Sequence, residues 1–247
     1  MKKKIKFNIK NILKFPLILI SKIILTIKFY LKDESSYKYI YKKYEKQKLD
    51  ECYEYFKKYF SNSLLIDQIK DIRIFSLKTA INENKNNGSF FEFGVYDGES
   101  LNLFSKLLNG TKIYGFDSFE GLRDNWTGHN LVAGTFSLKG KIPKLESNAI
   151  PIKGWVQETL PKFLKETKIN NISFVHMDLD TYESTKFVLE KLRSYFKPGT
   201  IILFDQLYNY AGWQQGEFKA LNEVFKDNEY KFLAFGKFSK QAVIKIL

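Results

Sequence analysis

The sequence predicts an α/β protein, with a mostly parallel sheet of seven strands, a closing antiparallel hairpin and an N-terminal helical arm. Two observations carry this. From Ser89 onward, short β-branched or aromatic runs alternate with amphipathic stretches, and repeated β-α units build parallel sheets covered by helices on both faces. The 247 residues, 44% hydrophobic and 17% aromatic, supply enough apolar surface for one such core.

Taken in order, the chain reads as a basic amphipathic arm (1–32), a helical extension (33–87) and the α/β domain (88–247). The arm holds nine lysines and no acid. On a helical wheel Lys10, Lys14, Lys22, Lys28 and Lys32 fall within about a 120° arc, a basic stripe beside an Ile/Leu-rich face. Such a helix suits the surface of an anionic membrane; it equally suits a cap on the domain or a partner in a homo-oligomer. Lys22 cuts the apolar stretch, which argues against a secretory signal. Residues 37–60 alternate Tyr and Phe with Lys and Glu at helical spacing and read as a helix packed on the core by its aromatic stripe.

In the body, Ser89–Val95, Lys112–Phe116, Ala149–Ile152, Ile172–Met177 and Thr200–Phe204 read as parallel strands, and Lys197-Pro-Gly as the turn into the last of them. Glu99–Asn109, Glu158–Glu166, Tyr182–Tyr195 and Gly216–Phe225 read as helices. Tyr230–Phe235 and Gln241–Ile246 close the chain as a hairpin.

Composition excludes several classes. The formal net charge is +13, but residues 1–60 hold 16 lysines against six acids, leaving the remainder nearly neutral. The body is thus no nucleic-acid surface. The single cysteine, Cys52, forms no intrachain disulfide, and no apolar run reaches the ~20 residues of a membrane span. The expected location is the cytoplasm, with the arm available for peripheral contact at the inner face of the membrane.

In a parallel sheet, ligands bind at the carboxyl ends of the strands. The first strand runs into Glu92-Phe-Gly94-Val-Tyr-Asp97-Gly98-Glu-Ser100. Its glycines let a ligand approach the backbone, but the spacing is not that of a dinucleotide pyrophosphate cradle. Glu92 and Asp97 are wrong for phosphate and right for a cation. Asp117, ending the second strand, is placed to accept from a ribose diol. Glycine access, carboxylates and a ribose acceptor without a phosphate cradle suit S-adenosylmethionine.

Four motifs also carry a resemblance: Glu92-x-Gly94-x-x-x-Gly98, Gly115-Phe-Asp117-Ser-Phe-Glu-Gly-Leu122, Lys153-Gly-Trp155 with Thr159-Leu-Pro161, and Asp178-Leu-Asp180-x-Tyr-Glu-Ser-Thr185. Over residues 88–247 the chain resembles class I S-adenosylmethionine-dependent methyltransferases, in the group of the macrocin O-methyltransferases (TylF type), which act on sugar hydroxyls. The resemblance implies a Rossmann-like methyltransferase fold. It places Gly94, Gly98 and Ser100 along the methionine part of the cofactor, with Glu92 or Asp97 at its ammonium end. It gives the ribose to Asp117 and the adenine to Ser118 and Trp155.

His176-Met-Asp178-Leu-Asp180 ends the fourth strand and Phe204-Asp205-Gln206 the fifth. Adjacent ends let Asp178 and Asp205 share a cation such as Mg²⁺. The related enzymes have an Asp-Asp pair where this chain has Asp205-Gln206, so Gln206 offers only a neutral amide oxygen. Alternatively, Asp178 and Asp180 cap the following helix. For the general base the sequence offers His129, in the lid-like segment Trp126–Leu131, with His176 read as a core histidine. The amide- and aromatic-rich stretch from Tyr208 to Lys219 suits acceptor binding.

The expected function is S-adenosylmethionine-dependent O-methylation of a sugar, glycan precursor or related natural product. The alternatives are methylation of a catechol or an amine, and a non-catalytic, membrane-tethered scaffold.

Overall fold

The computed structural model describes residues 37–83, 87–126 and 129–247; the basic arm lies outside them. The chain divides into a unit ending at Gln47 and a unit from Lys48 to Leu247, and the sheet belongs to the second. Helix α1 (Tyr37–Phe60) precedes strand β1 (Leu64–Ile66) and α2 (Ile69–Glu83). Next come β2 (Ser89–Phe93), α3 (Glu99–Leu108), β3 (Ile113–Asp117), β4 (Ala149–Lys153) and α4 (Val156–Glu166). The chain continues through β5 (Ile172–Met177), α5 (Tyr182–Leu192), β6 (Phe196–Phe204), α6 (Glu217–Val224), β7 (Tyr230–Gly236) and β8 (Ala242–Ile246).

The strands form one sheet in the order β1-β7-β8-β6-β5-β2-β3-β4. Every pairing is parallel except those of β8, which runs antiparallel to both β6 and β7. The predicted seven strands and terminal hairpin are therefore present, and an eighth is added. Leu64–Ile66 pairs in parallel with Ala234–Gly236 at the edge. Three residues are too few to show a period of two, and Leu64 and Leu65 are about half exposed, so neither patterning nor burial marks them in the sequence. At the opposite edge β4 carries Pro151.

A second difference concerns Lys197-Pro-Gly. This segment does not precede β6 but lies inside it, because Ile172 pairs with Phe196 and Phe174 with Ile201, leaving an irregular bulge between. Gly199 has φ +100°, and Thr200 Oγ1 closes the bulge by accepting Lys197 N–H at 3.1 Å and donating to Ile172 O at 2.6 Å.

Side-chain alternation sorts the core into two layers. Phe91, Phe93, Val175, Met177, Ile202 and Phe204 face one layer, with α4, α5, α6 and Phe56 of α1. Phe90, Phe174, Ile201 and Leu203 face the other, with Ile72 and Leu77 of α2 and Leu101 and Phe104 of α3. β5 is buried at every position, as a central parallel strand covered on both faces must be. The aromatic stripe of α1 packs as expected over residues 48–60. Phe56 is fully buried among Tyr208, Trp213, Phe218, Phe232 and Phe235.

Truncating that ring opens a cavity on which the sheet cannot close, so Phe56→Ala is expected to lower unfolding free energy by about 3–5 kcal/mol. Equilibrium urea unfolding measures this, and a loss below about 1 kcal/mol would show that α1 contributes little to the core.

Candidate active site

β2 and β5 are neighbours from which the chain winds outward in opposite directions, and their carboxyl ends meet tightly. Gly94 N–H donates to Phe116 O at 2.9 Å, and Asp178 N–H to Phe93 O at 2.8 Å. Gly94 has φ +88°, and a Cβ there would stand 1.8 Å from the Asp178 carbonyl oxygen. Only glycine meets both demands.

Above this junction lies a cavity of about 420 Å³, within the range of cofactor sites. Gly94 and Tyr96 follow β2, Asp117 and Ser118 end β3, and Gly154–Gln157 follow β4. Asp178–Thr181 follow β5, and Asp205 and Gln206 follow β6. Residues of the 121–136 loop and Lys240 of the β7–β8 turn complete the wall.

Asp117 does more than face a ligand. Its Oδ2 accepts the N–H groups of Val95 and Tyr96, both at 2.8 Å, and its Oδ1 accepts that of Phe119 at 2.6 Å. A carboxylate has about four acceptor sites, so one remains, on Oδ1: room for one hydroxyl rather than a diol. Ser118 Oγ accepts Glu120 N–H at 3.0 Å. Trp155 lines the cavity with the Arg123 guanidinium 5.8 Å from its ring centroid, so a protein cation lies over the ring.

Four residues read as cofactor contacts do not line the cavity. Phe91 and Phe93 face the α4 layer, so alternation turns Glu92 to the α2/α3 side, where it is fully buried and accepts from Ser100 Oγ. Asp97 is exposed, and its Oδ1 accepts Glu99 N–H at 3.1 Å at the start of α3. Gly98, with φ +83°, begins that helix and packs against Leu145.

Glu92 instead belongs to a charged layer beneath the cavity. His176 is fully buried, with Nδ1 3.4 Å from Glu92 Oε1 and Nε2 3.7 Å from Asp205 Oδ1. Burial lowers its pKa, but Asp205 and Glu92 overcome this and bring it up to about 9. His176 is thus a core histidine, as expected, but one set between two acids that favour its protonated form. Arg73 of α2, which shows no motif in the sequence, places Nη2 3.6 Å from Asp205 Oδ1. Gln241 Nε2 donates to the same carboxylate and Gln206 Nε2 to its Oδ2 at 2.6 Å. Burial alone would raise Asp205; His176, Arg73 and Gln241 hold it low.

The neighbouring acids go the other way. Burial and the Asp205 charge raise Asp178 well above the ordinary range, and raise Asp180 to about 7. They also raise Glu217, which is fully buried and accepts Gln206 N–H at 2.8 Å. Asp180 has φ +61°, a left-handed conformation that Asp tolerates better than most residues. The cap of α5 is Thr181, with no side-chain cap hydrogen bond, so neither Asp178 nor Asp180 serves as a helix cap.

His129 reaches the cavity rim, exposed and stacked on Trp126 with ring centroids 4.3 Å apart. Burial and Lys240 lower its pKa. Two residues of the segment read as a lid, 127 and 128, lie outside the described residues. The Tyr208–Lys219 stretch does not line the cavity: Tyr208, Trp213 and Phe218 are buried in the core, and Tyr208 Oη donates to Gly236 O at 2.7 Å. Those aromatics serve packing.

Residues 91–207 match a family model described as a methyltransferase domain. Among solved structures, the calicheamicin methyltransferase CalS11 is similar at 26% identity and TM-score 0.58, over 69% of this chain and 77% of that one. An apo structure of CalS11, described as a TDP-rhamnose 3′-O-methyltransferase, gives 0.52 at the same identity and coverage. The O-methyltransferase NovP shares the fold at 18% identity and TM-score 0.50, over 72% and 80% of the two chains. No curated protein matches the sequence.

The protein is a methyltransferase. Its domain has the Rossmann-like, S-adenosylmethionine-dependent architecture, extended by β1 and α1. No helix among the described residues is long and apolar enough to cross a membrane.

Within this methyltransferase, Arg73 holds the charge balance under the cavity. Replacing it by Met leaves Asp205 short of a cation at a site where Arg73 is 13% and Asp205 18% exposed. Thermal and urea unfolding should show a loss of about 3–5 kcal/mol, the cost of breaking a buried pair. An unchanged midpoint would mean that His176 alone balances Asp205.

Proposed function

We propose that the protein transfers the methyl group of S-adenosylmethionine to a hydroxyl of a sugar, glycan precursor or related natural product, in the manner of the TylF-type enzymes. The observation that carries this reading is the acidic floor of the cavity. Asp178 and Asp180 lie beside the β2–β5 junction with raised proton affinity, as deprotonation of an alcohol requires. The likeness to a TDP-rhamnose 3′-O-methyltransferase supports a sugar acceptor.

In this reading Gly94 gives the cofactor access to the backbone, Asp117 takes one ribose hydroxyl, and Ser118 and Trp155 border the adenine. The acceptor oxygen attacks the methyl carbon in line with the breaking C–S bond, whose electron pair stays on sulfur. The hydroxyl proton passes to Asp180, whose pKa of about 7 suits a general base at neutral pH. His129, unprotonated at neutral pH, is the second candidate, but it is stacked at the rim.

The acids also fit a divalent cation. One oxygen each of Asp178 and Asp205 and a nitrogen of His176 lie within 4.8 Å of one another, and Gln206 Oε1 is a buried acceptor without a partner. Asp178, Asp205 and Gln206 would hold Mg²⁺, with a nitrogen of His176 beside them. The ion would supply orientation of a hydroxyl and a lowered pKa for it.

Calorimetry with S-adenosylhomocysteine tests the cofactor assignment. Binding that Asp117→Ala weakens by ~1–3 kcal/mol is expected, and a folded protein that binds none would remove it. Asp180→Asn is expected to cut kcat by ~10²–10⁴ while S-adenosylhomocysteine still binds, and His129→Gln to cost under tenfold. The reverse ranking would make His129 the base.

A further inference from the structure

The cavity is polarised. Its floor is acidic, whereas its rim carries two cations, Arg123 and Lys240, that form no ion pair among the described residues. Lys240 is held by aromatic faces instead, with Nζ 4.9 Å from the Tyr210 ring centroid and 5.7 Å from that of Trp126. Its charge reaches inward, since it lowers the proton affinity of both Asp180 and His129. Trp126 supplies an independent sign of a missing partner. It lines the cavity, is 5% exposed, and its buried indole N–H has no acceptor. An indole nitrogen can only donate, so what it lacks is an acceptor, which a ligand oxygen entering the cavity would supply.

We propose that Lys240, Trp126 and Arg123 form a subsite for an anionic phosphate or pyrophosphate group carried by the methyl acceptor. The inference rests on the acceptor-hydroxyl reading above and narrows it. An acceptor with a hydroxyl at one end and a pyrophosphate at the other would lie with its hydroxyl on the acids and its charge on the rim. Charge-assisted hydrogen bonds from lysine and arginine suit phosphate oxygens, and the aromatic cradle fixes the lysine without neutralising it. A neutral sugar would leave two cations and an indole donor unused. The anionic part of the acceptor is either a nucleotide or a lipid-linked pyrophosphate; both present the same group to this rim.

The test is calorimetric titration of the full-length protein, with and without saturating S-adenosylhomocysteine. The probes are inorganic pyrophosphate, thymidine diphosphate and, as a neutral control, glucose. Pyrophosphate or thymidine diphosphate should bind, and glucose should not. Lys240→Met, which keeps the aliphatic stem, should weaken anion binding about tenfold or more, and Trp126→Phe, which keeps a ring, by about threefold to tenfold. S-adenosylhomocysteine affinity should stay within about twofold in both variants. Thymidine diphosphate binding about tenfold tighter than pyrophosphate would assign the group to a nucleotide, and equal affinities would assign it to the pyrophosphate alone.

Anion binding that is absent, or equal in the wild type and in folded variants, overturns the subsite. So does a Lys240→Met protein that loses S-adenosylhomocysteine, because the lysine would then serve the cofactor's own carboxylate. Pyrophosphate bound through Lys240 by a protein that takes no S-adenosylhomocysteine would keep the subsite while the cofactor reading fell.

Discussion

The contact between Gly94 and the Asp178 carbonyl is the constraint on which the site depends. Two parallel strands end there with no room for a side chain between them, and a turn leaves each toward opposite flanks of the sheet. The turn after β2 is held open by Asp117, which gathers three backbone N–H groups. The turn after β5 is forced through the left-handed Asp180. One close approach thus sets both the access to the cofactor space and the direction of the two acids.

Beneath that junction the protein keeps a polar layer inside an apolar sheet. Such a layer persists only if each charge meets a partner. Glu92, His176, Asp205 and Arg73 meet in sequence, fixing Asp205 at low proton affinity. That fixed negative charge in turn raises Asp178, Asp180 and Glu217. The strength of a base facing the cavity is therefore set first by its burial and then by Asp205, whose own charge is held by His176 and Arg73, residues that do not line the cavity.

Much of this was legible in the sequence, for physical reasons that differ by element. The strands were readable because a buried parallel strand is a short run of apolar residues, as in β5. The cavity was readable because glycines and acids stand at the ends of those runs. β1 was not, being short and half exposed, and neither was the bulge in β6, because Lys-Pro-Gly reads as a turn wherever it occurs. Among site residues, Glu92 misled because strand alternation depends on register, and a single acid flanked by phenylalanines does not state which face it takes. Arg73 could not be found at all: it reaches Asp205 from 132 positions away in the chain, a distance no local pattern spans. His176 is the core histidine that its place in a strand predicts, but the two acids beside it are brought there by folding and leave no mark in the local sequence.

The two rims of the sheet bear on how the molecule behaves among copies of itself. A free strand edge is a row of unpaired amides that another chain can extend. Here one rim is a three-residue strand, and the other contains a proline, which offers no amide proton on its open side. A sheet with this much phenylalanine at its centre is thus bordered by segments too short or too poor in donors to template fibrillar growth, and the added β1 withdraws from solvent the amides of β7 that would otherwise have formed the rim.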